Sequence, residues 1–305
     1  MSHAPLRLGV RASRLGQSLG ERIVDQLRPH VGATVIEIVP IEDAGERSPT
    51  PRHPWLGAAL ERALARGAID LAVQNAKDLP IEGEPGLVLA AVTERFTPFD
   101  VLIARDETIM DELPDGSAIS AHTPLRHAQL IRYRPDLKPA DLPGSLDDRI
   151  RLLDAGKVDG LVVSASAVEH LGYQDRVTEI FTTEVFVPAA GQGTCVLQAR
   201  EGGRELLRLA KHLDHPIARS EIESERALVR ALKADPTMAV GALASIDGVR
   251  IRLEGVVADR EGRRLVRGVE EGKVGDEVGI GERLARRLLE EGARRVLPGV
   301  GLPGL

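Results

Sequence analysis

The stretch Ile69-Asp-Leu-Ala-Val-Gln-Asn-Ala-Lys-Asp-Leu-Pro80 decides the fold. Ile69 to Val73 is a short apolar run, interrupted only by Asp70, and reads as a strand of a covered sheet. Gln74 to Pro80 follows at once as a polar turn, so Lys77 and Asp78 leave the strand at its carboxyl end. Upstream, Leu6-Arg-Leu-Gly-Val10 reads as a strand. Leu15, Leu19, Ile23 and Leu27 then recur at helical spacing from Ser13 on, ending before Pro29. Thr34 to Val39 is the next strand, stopped by Pro40, and Glu42 to Pro54, with three prolines, predicts an irregular loop. Trp55 to Arg66 reads as a helix closed by Gly67. Strand, helix, strand, helix, strand with short joints predicts a parallel sheet covered by helices. Ligands bind such sheets at the strands' carboxyl ends, where Arg11, Ser13, Lys77 and Asp78 fall.

A second α/β set starts near Val101-Leu-Ile-Ala104. It continues through the strand Ala118 to Ala121, helices over Pro124 to Tyr133 and Leu146 to Ala155, and the strand Gly160 to Val163. Val187 to Gly193 is rich in small residues, as a hinge or a close backbone approach requires. A helix from Ile217 to Leu232 precedes strands near Met238–Ile246, Val249–Ala258 and Arg264–Glu270, which predict an antiparallel set with Asp247-Gly248 at a turn. A last helix, Gly279 to Glu291, is expected to cover that sheet. The domains expected are 1–95 with 194–214, 96–193, and 215–305.

Composition excludes several classes. Forty Lys and Arg against 46 Asp and Glu, a net charge of −6, give no general attraction to nucleic acid, so an anion site must be a local cluster. No apolar run approaches the ~20 residues of a membrane span, and Met1 to Arg7 lacks a signal-peptide pattern, so a cytoplasmic protein is expected. A monomer is the expected state. One cysteine, Cys195, and eight scattered histidines offer no metal-ligand spacing, and no metal is expected. Aromatics make up only 2% of the residues, so aliphatic side chains must fill the core.

At the strand ends, Asp78 can stabilise a cationic intermediate or move a proton, and Lys77 can bind an acid group. The same pair is also what a solvated turn offers. Arg11 and Ser13 can hold a carboxylate beside free helix N–H groups, or be a surface arginine and an N-cap.

The chain resembles the porphobilinogen deaminase (hydroxymethylbilane synthase) family nearly end to end. The resemblance rests on Arg11-Ala-Ser13-Arg-Leu15, Ile69 to Pro80, Arg134-Pro-Asp-Leu137, Leu153-Asp-Ala-Gly-Lys-Val-Asp159, His170-Leu-Gly172, Pro188-Ala-Ala-Gly-Gln-Gly193, Glu223-Ser-Glu-Arg226 and Glu291-Gly-Ala-Arg294. It implies two periplasmic-binding-protein-like α/β domains around a cleft and a smaller α+β C-terminal domain. The family's enzymes join four porphobilinogens into a linear tetrapyrrole with loss of ammonia, on a dipyrromethane cofactor thioether-linked to a cysteine. An aspartate at the position of Asp78 steadies the pyrrole nitrogens, and arginines bind the acetate and propionate groups. Asp78 and Lys77 are then the catalytic candidates, and Arg11, Ser13, His122, Thr123, Arg126, Arg149 and His170 the substrate-binding ones.

The chain departs from the pattern at its most informative place. Aligning Leu232 and Gly241 with the family puts Pro236 at the cysteine position, so the ordinary tether cannot form there and no cofactor is expected. Cys195, in the apolar run Thr194-Cys-Val-Leu197, reads as a core residue rather than a substitute anchor. His122-Thr-Pro-Leu-Arg126 keeps one hydroxyl and one arginine of a hydroxyl and double-arginine motif. Pro143 and Ser145 stand in place of an arginine and an asparagine, His170 in place of another arginine, and Leu19 in place of a polar side chain. Ser48 to Pro54 lacks the lysine- and glycine-rich loop. Each lost arginine contact removes about 1.5–3 kcal/mol of charge-assisted bonding.

The expected partner is a small carboxylated ligand, such as porphobilinogen or a pyrrole oligomer. Three readings stay open at this point: a divergent deaminase, a binding or regulatory pseudoenzyme, and a family-fold enzyme with another small carboxylated substrate.

Overall fold

The computed structural model of the chain describes residues 4–42 and 57–297. The loop expected from Glu42 to Pro54 falls, from residue 43 on, outside the described residues, as do Trp55, Leu56 and the altered segment Ser48 to Pro54.

The elements begin with β1 (Leu6–Arg11), α1 (Arg14–Leu27), β2 (Ile36–Ile41), α2 (Ala58–Ala65), β3 (Leu71–Asn75) and β4 (Leu87–Val92). Next come β5 (Asp100–Ala104), β6 (Ala118–Ser120), α3 (Pro124–Tyr133), β7 (Lys138–Ala140), α4 (Leu146–Asp154), β8 (Gly160–Ser164), α5 (Ala165–His170) and β9 (Glu179–Ile180). The last third runs through β10 (Cys195–Arg200), α6 (Arg204–Ala210), α7 (Pro216–Ala231), β11 (Ala239–Asp247), β12 (Arg250–Ala258), β13 (Leu265–Lys273) and α8 (Glu277–Glu290). They gather into two compact units, residues 1–96 with 193–219, and residues 97–192 with 220–305.

The first unit holds a five-stranded sheet of order β2-β1-β3-β10-β4. β1 pairs in parallel with β2 and β3, as the strand–helix alternation expects. β10 is inserted antiparallel between β3 and β4, so the sheet is mixed rather than wholly parallel. The reason is connectivity: β10 returns from more than ninety residues away in sequence without a helical crossover of its own, and nothing compels it to run with its neighbours. Leu8, Val10, Leu71 and Val73 pack with Leu19, Ile23 and Leu27 of α1 and with Cys195 and Leu197 of β10. Leu19, polar in the family pattern, is therefore part of the core. Gly16 lets α1 press on the end of β1, because a Cβ there would sit 2.3 Å from the Arg11 carbonyl oxygen.

The second unit repeats the plan. Its sheet runs β7-β6-β8-β5-β9, with β6 parallel to β7 and β8, and β5 antiparallel to β8 and β9. Phe181 and Phe186, two of the chain's four phenylalanines, pack with Leu102, Ile119, Leu130 and Val162 on one side. Val101, Ile103, Ile150, Leu153 and Leu161 form the other side. The same unit carries the antiparallel meander β11-β12-β13, turning at Gly248 with φ +57°. α8 covers β12 and β13 with Ile280, Leu284 and Leu288 buried. Among the described residues no helix is long and apolar enough to cross a membrane, and no group of three His, Cys, Asp or Glu residues is placed to hold a metal ion.

Candidate functional site

In the first unit, β1 and β3 run parallel with Gly9 opposite Ala72, so their carboxyl ends share one sheet edge. Arg11 is the last residue of β1 and Ser13 caps α1, its hydroxyl accepting from Gly16 N at 3.1 Å. The N-cap reading of Ser13 is thus realised, and it is compatible with the serine also facing a ligand. β3 breaks into a single tight turn, Ala76–Asp78, which carries Lys77 and Asp78 half-buried. Asn75 Nδ2 lies 3.4 Å from Asp78 Oδ2, and Ala76 N donates to Thr194 O at 2.9 Å, tying the turn to the start of β10. Beneath this edge runs a buried polar chain: Gln74 donates to Gln198, and Gln198 Nε2 donates to Glu61 Oε1 at 2.8 Å.

In the second unit the matching edge lies where β6, β7 and β8 end, with Ser120 opposite Ala140 and Leu161. Thr123 caps α3, its Oγ1 accepting from Arg126 N at 3.2 Å. Arg126 is buried, and its Nη2 donates to Asp100 Oδ1 at 2.7 Å and to Gln192 Oε1 at 3.1 Å. Gln192 Nε2 in turn donates to Asp100 Oδ1 at 2.7 Å and to the Pro98 carbonyl at 2.8 Å, so Oδ1 of a carboxylate only 1% exposed accepts from both Arg126 and Gln192. Gly191, with φ +81°, gives the chain the sharp path that presents Gln192 to this cluster. The buried Glu225 of α7 holds that turn by accepting from Gly191 N at 2.6 Å and Ala244 N at 2.8 Å.

His122 sits just before the Thr123 cap, with Nδ1 3.0 Å from Asp141 Oδ1. Burial pushes its pKa below the usual histidine value, the charges of Arg149 and Arg126 push the same way, and Asp141 opposes them. The ring is therefore neutral at neutral pH, with Nδ1–H donating to Asp141 and Nε2 left as an acceptor. Arg149, on α4, is drawn below the ordinary guanidinium value by burial and then by Arg126. Its Nε is buried with no hydrogen-bond partner among the described residues, and the same holds for Ser120 Oγ. Ser145, read as a lost asparagine, caps α4 in a reciprocal pair with Asp148, whose carboxyl these bonds hold at about 2. His170 closes α5, half-buried.

Pro236 lies in the turn between α7 and β11. Lys233 adopts φ +50°, and Asp235 Oδ1 accepts from Thr237 N at 2.7 Å and Thr237 Oγ1 at 2.6 Å, closing an Asx turn around the proline. Nothing in this turn carries a thiol. Cys195 is 4% exposed in the core of the first unit, and burial pushes its thiol up to about 12. A thioether-linked group does not fit either position: one lacks the nucleophile, and the other neither ionises nor meets solvent.

Sequence reasoning found the strand-end residues but missed Asp100, Asp141, Gln192 and the pair Glu61 and Gln198. Asp100 carried a signal, a carboxylate at the head of the apolar run Val101 to Ala104. Asp141 and Gln192 carried none, since each gains its meaning from a residue at least nineteen positions away.

Two mixed five-stranded sheets, each with a parallel trio flanked by an antiparallel strand and with charged groups at its strand ends, and a smaller antiparallel sheet define an α/β protein with an added α+β element. Residues 6–208 match the family model described as porphobilinogen deaminase, dipyromethane cofactor binding domain. The porphobilinogen deaminase of Pelotomaculum thermopropionicum is 37% identical over 298 residues, covering 96% of each chain. That of Thermus thermophilus is 34% identical over 293 residues, covering 95% of this chain and 97% of the relative. Among solved structures, the BvgS VFT2 domain of Bordetella pertussis aligns with 69% of this chain and 87% of its own at 16% identity and a TM-score of 0.44. The chain belongs to the porphobilinogen deaminase family, a family of tetrapyrrole biosynthesis.

Proposed function

We propose that this family member holds a small carboxylated pyrrole, porphobilinogen or a short oligomer of it, by reversible contacts, without the thioether-linked primer of its relatives. The observation that carries the reading is Pro236 inside a closed Asx turn, together with a lone cysteine buried in another unit. Each unit's strand-end edge offers binding groups of its own. Arg11, the Ser13 cap and Lys77 supply positive charge and donors in the first unit; in the second, Arg149 supplies charge and N–H groups at the amino end of α3 capped by Thr123, and the neutral His122 ring presents Nε2. Arg126 acts there through its field and its bond to Asp100, which fixes the start of α3. The ordinary primer-tethered elongation is absent in this reading.

A second reading has its own support, since Asp78 stays half-buried at the strand end beside Lys77. A carboxylate there can hold a developing pyrrole cation, so turnover of an untethered substrate is the competing account. Equilibrium dialysis with porphobilinogen, followed by desalting in denaturant and treatment with acidic aldehyde reagent, tests the first reading. It expects saturable binding and a colourless protein after desalting. Pigment that stays with the denatured chain would overturn it. Consumption of porphobilinogen by wild type that is lost in Asp78→Asn, with binding retained, would favour the second reading.

A further inference from the structure

We infer that His122 couples anion binding at the second unit's strand-end edge to the uptake of a proton. The inference rests on the proposed role of that edge as a carboxylate site and adds what its histidine does there.

The geometry carries the argument. His122 occupies the last position before the Thr123 cap, at the amino end of α3. The charged groups that act on it come from each neighbouring element: Arg126 from α3, Arg149 from α4, and Asp141 from the segment after β7. Asp141 occupies Nδ1 at 3.0 Å, so Nε2 is the ring atom left to meet a ligand. Two guanidiniums and the amino end of a helix face one half-buried imidazole, and one of those guanidiniums has a buried N–H with no partner among the described residues. The other guanidinium is already paired with Asp100, whereas Asp141 and Asp148 act on Arg149 through their fields.

Without a ligand, a proton on Nε2 would place a third positive charge in this cluster, and the ring stays neutral. A ligand carboxylate bound to Arg149 cancels that repulsion and offers Nε2 an acceptor. The imidazole then gains a proton from solvent, Nε2–H donates to the ligand, and Nδ1–H still donates to Asp141. No covalent bond is made or broken. Linkage gives the sign: a site that binds a proton together with the anion binds the anion more tightly as pH falls from 8 towards 6. Each unit by which the ligand raises the His122 pKa is about a tenfold gain in affinity across that range.

The experiment is calorimetric titration of the full chain with porphobilinogen near pH 6.5, in buffers of different ionisation enthalpy, with affinities measured from pH 6 to 8. Wild type should take up a substantial fraction of a proton on binding. His122→Gln, which keeps a side chain able to bond Asp141, should bind with little proton uptake and with an affinity that no longer depends on pH. Asp141→Asn should reduce the uptake by removing the carboxylate that supports the imidazolium. Equal uptake in wild type and His122→Gln, or none in wild type while porphobilinogen binds, overturns the proton coupling and leaves the anion site standing. Binding that is unchanged in Arg149→Met, or absent in wild type, overturns the anion-site reading and this inference with it. Circular dichroism of each variant separates these results from a loss of fold.

Discussion

The two five-stranded sheets share a parallel trio flanked by an antiparallel strand, and a like turn into the first helix. β1 feeds α1 through Ser13, and β6 feeds α3 through Thr123, each hydroxyl accepting from the amide three residues on, at 3.1 and 3.2 Å. The chemistry at those equivalent ends differs. The first unit offers an acid, Asp78, beside Lys77 and Arg11, whereas the second offers Arg149 and a neutral histidine above a buried Asp100–Arg126–Gln192 cluster. Topology decides where side chains leave the sheet, and a handful of residues decide what they do there.

That comparison is broken most severely at Arg126. Arg126→Ala removes the counter-charge of the Asp100 carboxylate, 1% exposed and left with its bond from Gln192, and should lower stability by about 3–5 kcal/mol, read from urea unfolding. Arg149→Met comes next: it removes a guanidinium with an unpartnered N–H and should weaken porphobilinogen binding by about 1.5–3 kcal/mol with little loss of fold, measured by calorimetry. The shared feature is sharpened by the two caps, since Ser13→Ala and Thr123→Ala should each cost about 1 kcal/mol in unfolding experiments, equal within error. A much larger loss at one of them would mean that its hydroxyl does more than cap.

The smallest effect is on acid stability. The pKa of His122 is lower in the folded protein than in the unfolded chain, so below about pH 6.5 the unfolded state binds more protons and stability falls with pH. His122→Gln should flatten that loss between pH 7 and 5, as read from urea midpoints. A steeper loss in the variant would contradict the assignment of a neutral ring.

Much of this arrangement is legible in the sequence. Apolar runs ending in Arg11 and in Asn75 to Asp78 place the first edge, and the period Leu19, Ile23, Leu27 places the helix behind it. The interior strand β10 was not legible, because Cys195 to Arg200 has no period of its own and acquires meaning only by pairing Leu197 with Val73, more than 120 residues away. The second edge was read only in part, for the same reason. His122, Thr123 and Arg126 stand together in sequence, while Asp100, Asp141 and Gln192, which fix their state, are brought in by the sheet. Cys195 was legible as core from its apolar neighbours, and its 4% exposure agrees.

A ligand held without a covalent tether leaves the mass of the intact chain unchanged. Purified protein should weigh what its 305 residues weigh, both before and after incubation with porphobilinogen. An excess matching a dipyrromethane, in either sample, would contradict the account and require an anchor other than Pro236.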